Sequence, residues 1–306
     1  METLNQFAKA KKPLNFMAFL EKLVAQFKPL QVYQYAQLGQ QWQTESVFCN
    51  PQQKEEEIYY LLIVTEGSTR IENGIQDFAN QHYTEGKVVV QAHGAEALKQ
   101  NLAQSNYYFA TVLNQGQLLY SNNGVLCLEE MTNLQPEKRL AQAKLHWKHR
   151  GKMANGFLLA ADRALEEDHE AVCLFLLHQV IEQACIGLIW VFMGYKSDMH
   201  NLRRLLYVCA CFSKKPMQHF MGTPENEIML GVIMKSYSEA RYRESFSLEN
   251  RSAYNFLELV ERFMELAEEL CKEKFEAMEA ALPVEVEKVE EEIGDIMIDE
   301  QLQKAQ

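Results

Sequence analysis

No Cys-x-x-Cys pair occurs in this chain, although it holds seven cysteines, at positions 49, 127, 173, 185, 209, 211 and 271. An odd number without paired spacing argues against a disulfide framework and against a zinc module. Most of these cysteines sit inside apolar helical runs, so they read as reduced core thiols of a cytoplasmic protein. The opening residues, METLNQFAKAKKPLNF, lack a long apolar core and a small-residue cleavage site, which sets aside a secretory leader. An uninterrupted apolar run of membrane length is missing too. The longest candidate, Ala171 to Met193, is broken by His178, Gln179, Glu182 and Gln183, and reads as a buried helix with no membrane role. There is no excess of positive charge. The net charge is −12, and half of it comes from 282–306, where eight acids face two lysines. The body is mildly acidic, so bulk electrostatics do not favour nucleic acid, while a local basic face stays open. No internal repeat is visible.

What is present suits a soluble globular chain. A length of 306 residues suggests two domains, and 47% hydrophobic with 24% charged residues is ordinary. In 14–28, Phe16, Phe19, Leu20, Leu23, Val24 and Phe27 recur at helical spacing, and Pro29 stops the helix. PLQVYQYAQLG alternates as a strand does. Residues 40–57 are polar and read as a loop. The run IYYLLIV, Ile58 to Val64, predicts a buried strand. In that strand at most one of Tyr59 and Tyr60 is expected on the core face. An amphipathic helix through Ile71, Ile75, Phe78 and Ala79 follows, then a strand at Val88 to Ala92, a helix at Ala95 to Gln104, a helix end at Tyr107 to Leu113 and a strand at Gln117 to Tyr120. Such alternation implies an α/β layer. After Pro136 only helices are predicted, at about 137–166, 170–193, 200–211, 225–239 and 249–281, with a loop between Pro216 and Pro224. Pro283 ends the bundle, and the acidic segment beyond it reads as a mobile tail. The expected organisation is an α/β domain over 1–124, a helical bundle over 125–281 and a tail over 282–306.

The stretch AVCLFLLHQVIEQACIGLIWVFMGYKSDMHNLRRLL, followed by YSEARY, resembles the HEPN domain, a helical bundle associated with nucleotide binding. It places His178 and Glu182 four residues apart on one helix face. A Gly-Tyr break follows, then a helix starting near His200 with Arg203 and Arg204, and an extended tail carrying Arg241 and Tyr242. The resemblance implies a HEPN bundle. It also implies candidate ligand contacts at His178, Glu182, His200, Arg203, Arg204, Tyr237, Arg241 and Tyr242.

The first half resembles the nucleotidyltransferase fold that often accompanies HEPN, through the helix before PLQVYQYAQLG, the strand YYLLIV, the strand VVVQAH and the ending NYYFATVLNQGQLLYSNNG. That fold implies a Gly-Ser pair and two metal-holding carboxylates. Here Gly39 precedes Gln40, and Ile58 and Tyr60 stand where the acids belong. The expected domain is therefore degenerate and without a catalytic metal, and Glu55, Glu56 and Glu57 read as a solvated charge run.

HEPN ribonucleases carry an Arg followed within a few residues by His, which gives an acid/base imidazole beside a cation. After Arg241 and Arg243 comes ESFSLENRSAY, with no His. Arg139 with His146, and Arg163 with His169, match the spacing elsewhere, at the rate chance allows. His178 and Glu182 read either as a polar contact to a ligand or as a pair satisfied inside the bundle. His200 caps or packs. One of Arg203 and Arg204 is expected to pair with Glu182, Glu239 or a phosphate. Tyr237, Arg241 and Tyr242 either hold a base and phosphate or seal the bundle end. The cluster Lys144 to Lys152, with Trp147 at its centre, is a further phosphate candidate. The leading expectation is a non-catalytic homodimer, without a cofactor, that binds a nucleotide or RNA-like ligand. Its rivals are an enzyme with an altered site and a protein-interaction scaffold.

Overall fold

A computed structural model describes residues 13–44, 52–67, 71–122, 135–242 and 247–282, with side chains at 40–44, 52–56 and 240–242 left out. The first half contains α1 (Leu14–Phe27), β1 (Gln31–Thr44), β2 (Gln52–Thr65), α2 (Glu72–His82), β3 (Gly86–Gly94), α3 (Ala95–Ala103), α4 (Tyr107–Gln115) and β4 (Gln117–Ser121). The second half is helical: α5 (Pro136–Glu166), α6 (Glu170–Met193), α7 (Leu202–Ala210), α8 (Lys215–Met221), α9 (Pro224–Tyr242) and α10 (Ala253–Ala280). A mixed-sheet region is thus followed by an all-helical bundle.

The sheet order is β3-β2-β1-β4. β1 runs antiparallel to β2 and β4, and β2 runs parallel to β3. Within the segment expected as a loop, 40–44 and 52–57 are paired strand: Gln40 lies opposite Glu56 and Thr44 opposite Gln52. Backbone ladders need no apolar face, so a polar hairpin arm leaves no hydrophobic signal.

Tyr59 and Tyr60 are both fully buried, against the expectation that only one would be. Alternation sends them to opposite faces, and both faces are covered. Tyr59, Leu61 and Ile63 pack with Phe16 and Phe19 of α1 and Ile75 of α2. Ile58, Tyr60 and Leu62 share one continuous core with α6, α7, α9 and α10. The Tyr60 hydroxyl donates to the Tyr207 carbonyl of α7 at 2.9 Å.

At the centre of the bundle lies α6, flanked by α5, α7, α9 and α10. It is long and apolar enough to cross a membrane by length and composition alone, which amends the sequence reading, but 78% of that apolar window is buried inside the fold. A helix apolar all round is what a core position requires. At Gly187 a Cβ would lie 2.9 Å from the Trp147 ring, so this glycine lets α5 and α6 approach closely. Gly194 ends α6 in the left-handed region at φ 69° and donates its N–H to the Trp190 carbonyl. The short α8 was not anticipated. Pro216 lies in its first turn, where a missing N–H does no harm. The five described cysteines, Cys173, Cys185, Cys209, Cys211 and Cys271, are free thiols. Burial raises the pKa of Cys173 and Cys211 to about 12.

Candidate ligand site of the helical bundle

Four of the anticipated residues meet. The 3.6-residue period of α6 puts His178 and Glu182 on one face, and both are buried. After Gly194 the chain returns to place His200 just before Asn201, whose side chain caps α7 by accepting from the Arg204 N–H at 3.0 Å. His200 Nδ1 then lies 3.1 Å from Glu182 Oε1. The second oxygen, Oε2, lies 3.9 Å from His178 Nδ1 and has no hydrogen-bond partner among the described residues. From α9, Tyr237 brings its ring to 4.8 Å from that of His178 and 6.5 Å from that of His200, the latter nearly parallel at 12°. Phe175 of α6 also lies near Tyr237, with ring centres 6.3 Å apart.

Depth differs sharply across this cluster. The His178 side chain is 3% exposed, that of Glu182 5% and that of His200 63%. Burial raises the Glu182 pKa, while the His200 hydrogen bond and the Arg150 charge act the other way. An ionised Glu182 fixes the proton of His200 on Nδ1, because a carboxylate only accepts. The arrangement therefore offers an oriented, exposed imidazole beside an aromatic ring, anchored to a buried carboxylate.

Arg203 and Arg204 do not join it. Arg203 pairs with Glu227 of α9 at 2.8 Å. Arg204 crosses to the α/β half: its Nη2 donates to Glu72 Oε1 at 2.7 Å and to the Val90 carbonyl at 3.0 Å, and its Nη1 to Asn73 Oδ1 at 2.8 Å. The expected partners Glu182 and Glu239 are thus replaced by Glu227 and Glu72. Glu72 is held in turn by the Ala92 N–H at 3.1 Å, and burial raises its pKa even beside Arg204. Arg241 and Tyr242 lie within the last turn of α9 rather than in an extended tail, and their side chains fall outside the described residues. Side-chain preference did not reveal this, since the helix simply continues past Glu239.

The other candidates scatter. Lys144 pairs with Glu279 of α10, Arg150 donates to Gln183, and Trp147 packs on Gly151 and Gly187, so the Lys144 to Lys152 cluster presents no single basic face. His146 stacks on Trp190 at 4.8 Å, and burial lowers its pKa to about 4. Arg163 pairs with Glu166 and Glu167, and His169 occupies the N-cap position of α6. In the α/β half, Ile58 and Tyr60 are buried against the bundle, and Glu57 accepts from the Tyr59 hydroxyl and from Gln37. Among the described residues no three His, Cys, Asp or Glu side chains converge on a metal position.

Comparison with known proteins adds one firm point. No curated protein matches the chain. A solved structure of a nucleotidyltransferase-like protein from Exiguobacterium sibiricum 255-15 resembles it at 10% identity over 85% of this chain and 74% of that one, with a TM-score of 0.27. Residues 148–270 match the HEPN domain, a stretch running from inside α5, through the His178–Glu182–His200–Tyr237 cluster, into α10. The helical half of this chain therefore contains a HEPN domain.

Proposed function

We propose that this protein is a non-catalytic HEPN-type binding protein whose ligand is a nucleotide or RNA-like molecule. The observation that carries the reading is the convergence of His178, Glu182, His200 and Tyr237, with His200 exposed at the surface of the cluster. A stacked imidazole and phenol suit a nucleobase face, and an oriented imidazole suits its polar edge. Arg203 and Arg204 are already engaged by carboxylates, so base stacking carries recognition here. On the same proposal the α/β layer is a degenerate nucleotidyltransferase-like domain, because Ile58 and Tyr60, both buried against the bundle, stand where that fold's two carboxylates belong. The chain acts as a homodimer, for which Leu145 and Leu159, both exposed on α5, supply apolar surface.

Equilibrium titration of the full chain with a panel of nucleotides and short RNA oligomers tests the binding reading. His200→Ala is expected to weaken binding about five- to 150-fold, the range of a lost stacking contact of roughly 1–3 kcal/mol, with unchanged circular dichroism. Binding that persists undiminished in folded His200→Ala and Tyr237→Ala variants moves the ligand elsewhere. Turnover of any ligand would make the protein an enzyme. A second reading, a protein-interaction scaffold, is favoured by the ion pairs that engage both Arg203 and Arg204, and wild-type failure to bind the whole panel would select it.

A further inference from the structure

A cavity of about 520 Å3 opens between the turn joining α3 and α4, the start of α5 and the end of α6. That size lies within the roughly 300–1,000 Å3 of small-molecule pockets. It is separate from the His200 cluster, and its lining comes from both halves of the chain. Arg139 is its central group. One guanidinium nitrogen, Nη2, donates to the Trp190 and Val191 carbonyls at 2.7 and 2.8 Å, where the last carbonyls of α6 attract a cation. Its carbon lies 5.0 Å from the centre of the Tyr107 ring. Gly194 closes the wall: a Cβ there would come within 3.1 Å of Tyr107 Cβ and 3.6 Å of Arg139 Cζ.

The groups at this cavity share one chemical bias. Arg139 Nε, Arg139 Nη1 and Trp190 Nε1 are buried donors with no acceptor. Lys138, exposed on the same turn of α5, adds a second cation to the lining. Among the described residues that line the cavity none is acidic. The surroundings carry the same sign. The charged groups acting on nearby His146 are Arg150, His149, Arg139 and Lys196, and Arg139 also acts on Lys274. In a chain of net charge −12 the described lining of this cavity is locally positive. Buried donors without acceptors are unfavourable, and an entering acceptor relieves them once the guanidinium turns toward it.

We propose that this cavity binds a phosphate-bearing small molecule, with Arg139 and Lys138 contacting the phosphate and the Trp190 N–H donating to it. The site lies outside the stack proposed above and uses none of its residues.

The test is calorimetric titration of the full chain with inorganic pyrophosphate, adenosine monophosphate and adenosine. At least one of the two phosphates should bind, adenosine should not compete, and affinity should fall as salt rises. Arg139→Gln should weaken binding ten- to a hundredfold, as loss of a charge-assisted contact does. Because Arg139 also caps α6 and its loss can unsettle the fold, Lys138→Gln and Trp190→Phe give the cleaner reading. Each is expected to weaken binding at least threefold with circular dichroism unchanged, while His200→Ala leaves it within twofold. Absence of binding by both phosphates at millimolar concentration overturns the proposal. So does equal binding of adenosine, or affinity unaffected by both Lys138→Gln and Trp190→Phe.

Discussion

Tyr59 and Tyr60 are neighbours on β2, both fully buried, yet they serve different cores. Tyr59 stacks on Phe16 of α1 at 3.9 Å between ring centres and meets Tyr83 edge-on at 6.0 Å, inside a compact apolar cluster belonging wholly to the first half. Tyr60 faces the other way, into a core whose larger part is the HEPN bundle, and reaches α7 with its hydroxyl. The outer face of the sheet is closed by α1 and α2, whereas the inner face is closed by α3 and α4 together with the bundle. The inner side also carries polar contacts: the Tyr35 hydroxyl donates to Gln91, and His93 Nε2 lies 3.0 Å from the Tyr195 hydroxyl. The sheet thus acts as a wall of the bundle.

The largest expected effect comes from emptying the shared side. Tyr60→Ala should destabilise the protein by about 3–5 kcal/mol, the range for deleting a large buried aromatic, read by urea unfolding. In hydrogen exchange it should loosen α7 together with β2, while Tyr59→Ala should loosen α1 and α2. The same exchange pattern in both variants would break the distinction between the two faces.

Next comes the polar staple across the junction. Arg204 is 14% exposed and holds Glu72, Asn73 and the Val90 carbonyl, all in the first half. Arg204→Met should cost about 1.5–3 kcal/mol, as charge-assisted hydrogen bonds do when one partner is removed. A change below about 0.5 kcal/mol, the ordinary scatter of surface substitutions, would show that the apolar contact alone joins the halves.

Acid should then act on the bundle side. The pKa of His146 is lowered from 6.5 to about 4, first by burial and then by surrounding positive charge. The unfolded chain takes up this proton more readily than the folded one. The stabilising contribution is complete above pH 6.5 and is lost as pH falls toward about 4. With partial exposure discounted, the loss is on the order of 1–2 kcal/mol. In His146→Phe, which keeps a ring against Trp190, the fall in stability between pH 7 and pH 5 should be smaller than in the wild type. An unchanged fall would assign the acid sensitivity to other groups.

Much of this architecture was legible in the residues, for identifiable reasons. The apolar run of β2 signalled a buried strand, and only the assignment of a single core face misjudged Tyr59 and Tyr60. The long helices showed because apolar spacing repeats over many turns and Pro136 and Gly194 mark ends. The pairing of His178 with Glu182 showed because it is local. Glu72 and Arg204 are 132 residues apart, and no local pattern announces such a contact. The Arg139 cavity was hidden similarly. Arg139 appeared only as half of a chance Arg–His spacing, and its meaning depends on Tyr107 and the end of α6 arriving beside it.

Arg203 provides the finest test, because it differs from Arg204 by one position and by nearly everything else. Its side chain is 37% exposed, and its partner Glu227, 47% exposed, belongs to the same bundle. It spans no junction between the halves. A pair this exposed is screened by water and salt and restrained by side-chain entropy, so Arg203→Met should change stability by about 0.2–1 kcal/mol. That change should shrink further in 1 M salt, where the screening length is about 3 Å. Measured beside Arg204→Met under the same conditions, the two variants ask whether stability follows the crossing between halves or merely the presence of an ion pair. Equal losses would mean that the junction adds nothing beyond charge pairing. If Arg203→Met leaves stability intact but weakens nucleotide or RNA binding as much as His200→Ala does, then Glu227 holds Arg203 only until a phosphate displaces it, and recognition extends from the stack to this guanidinium.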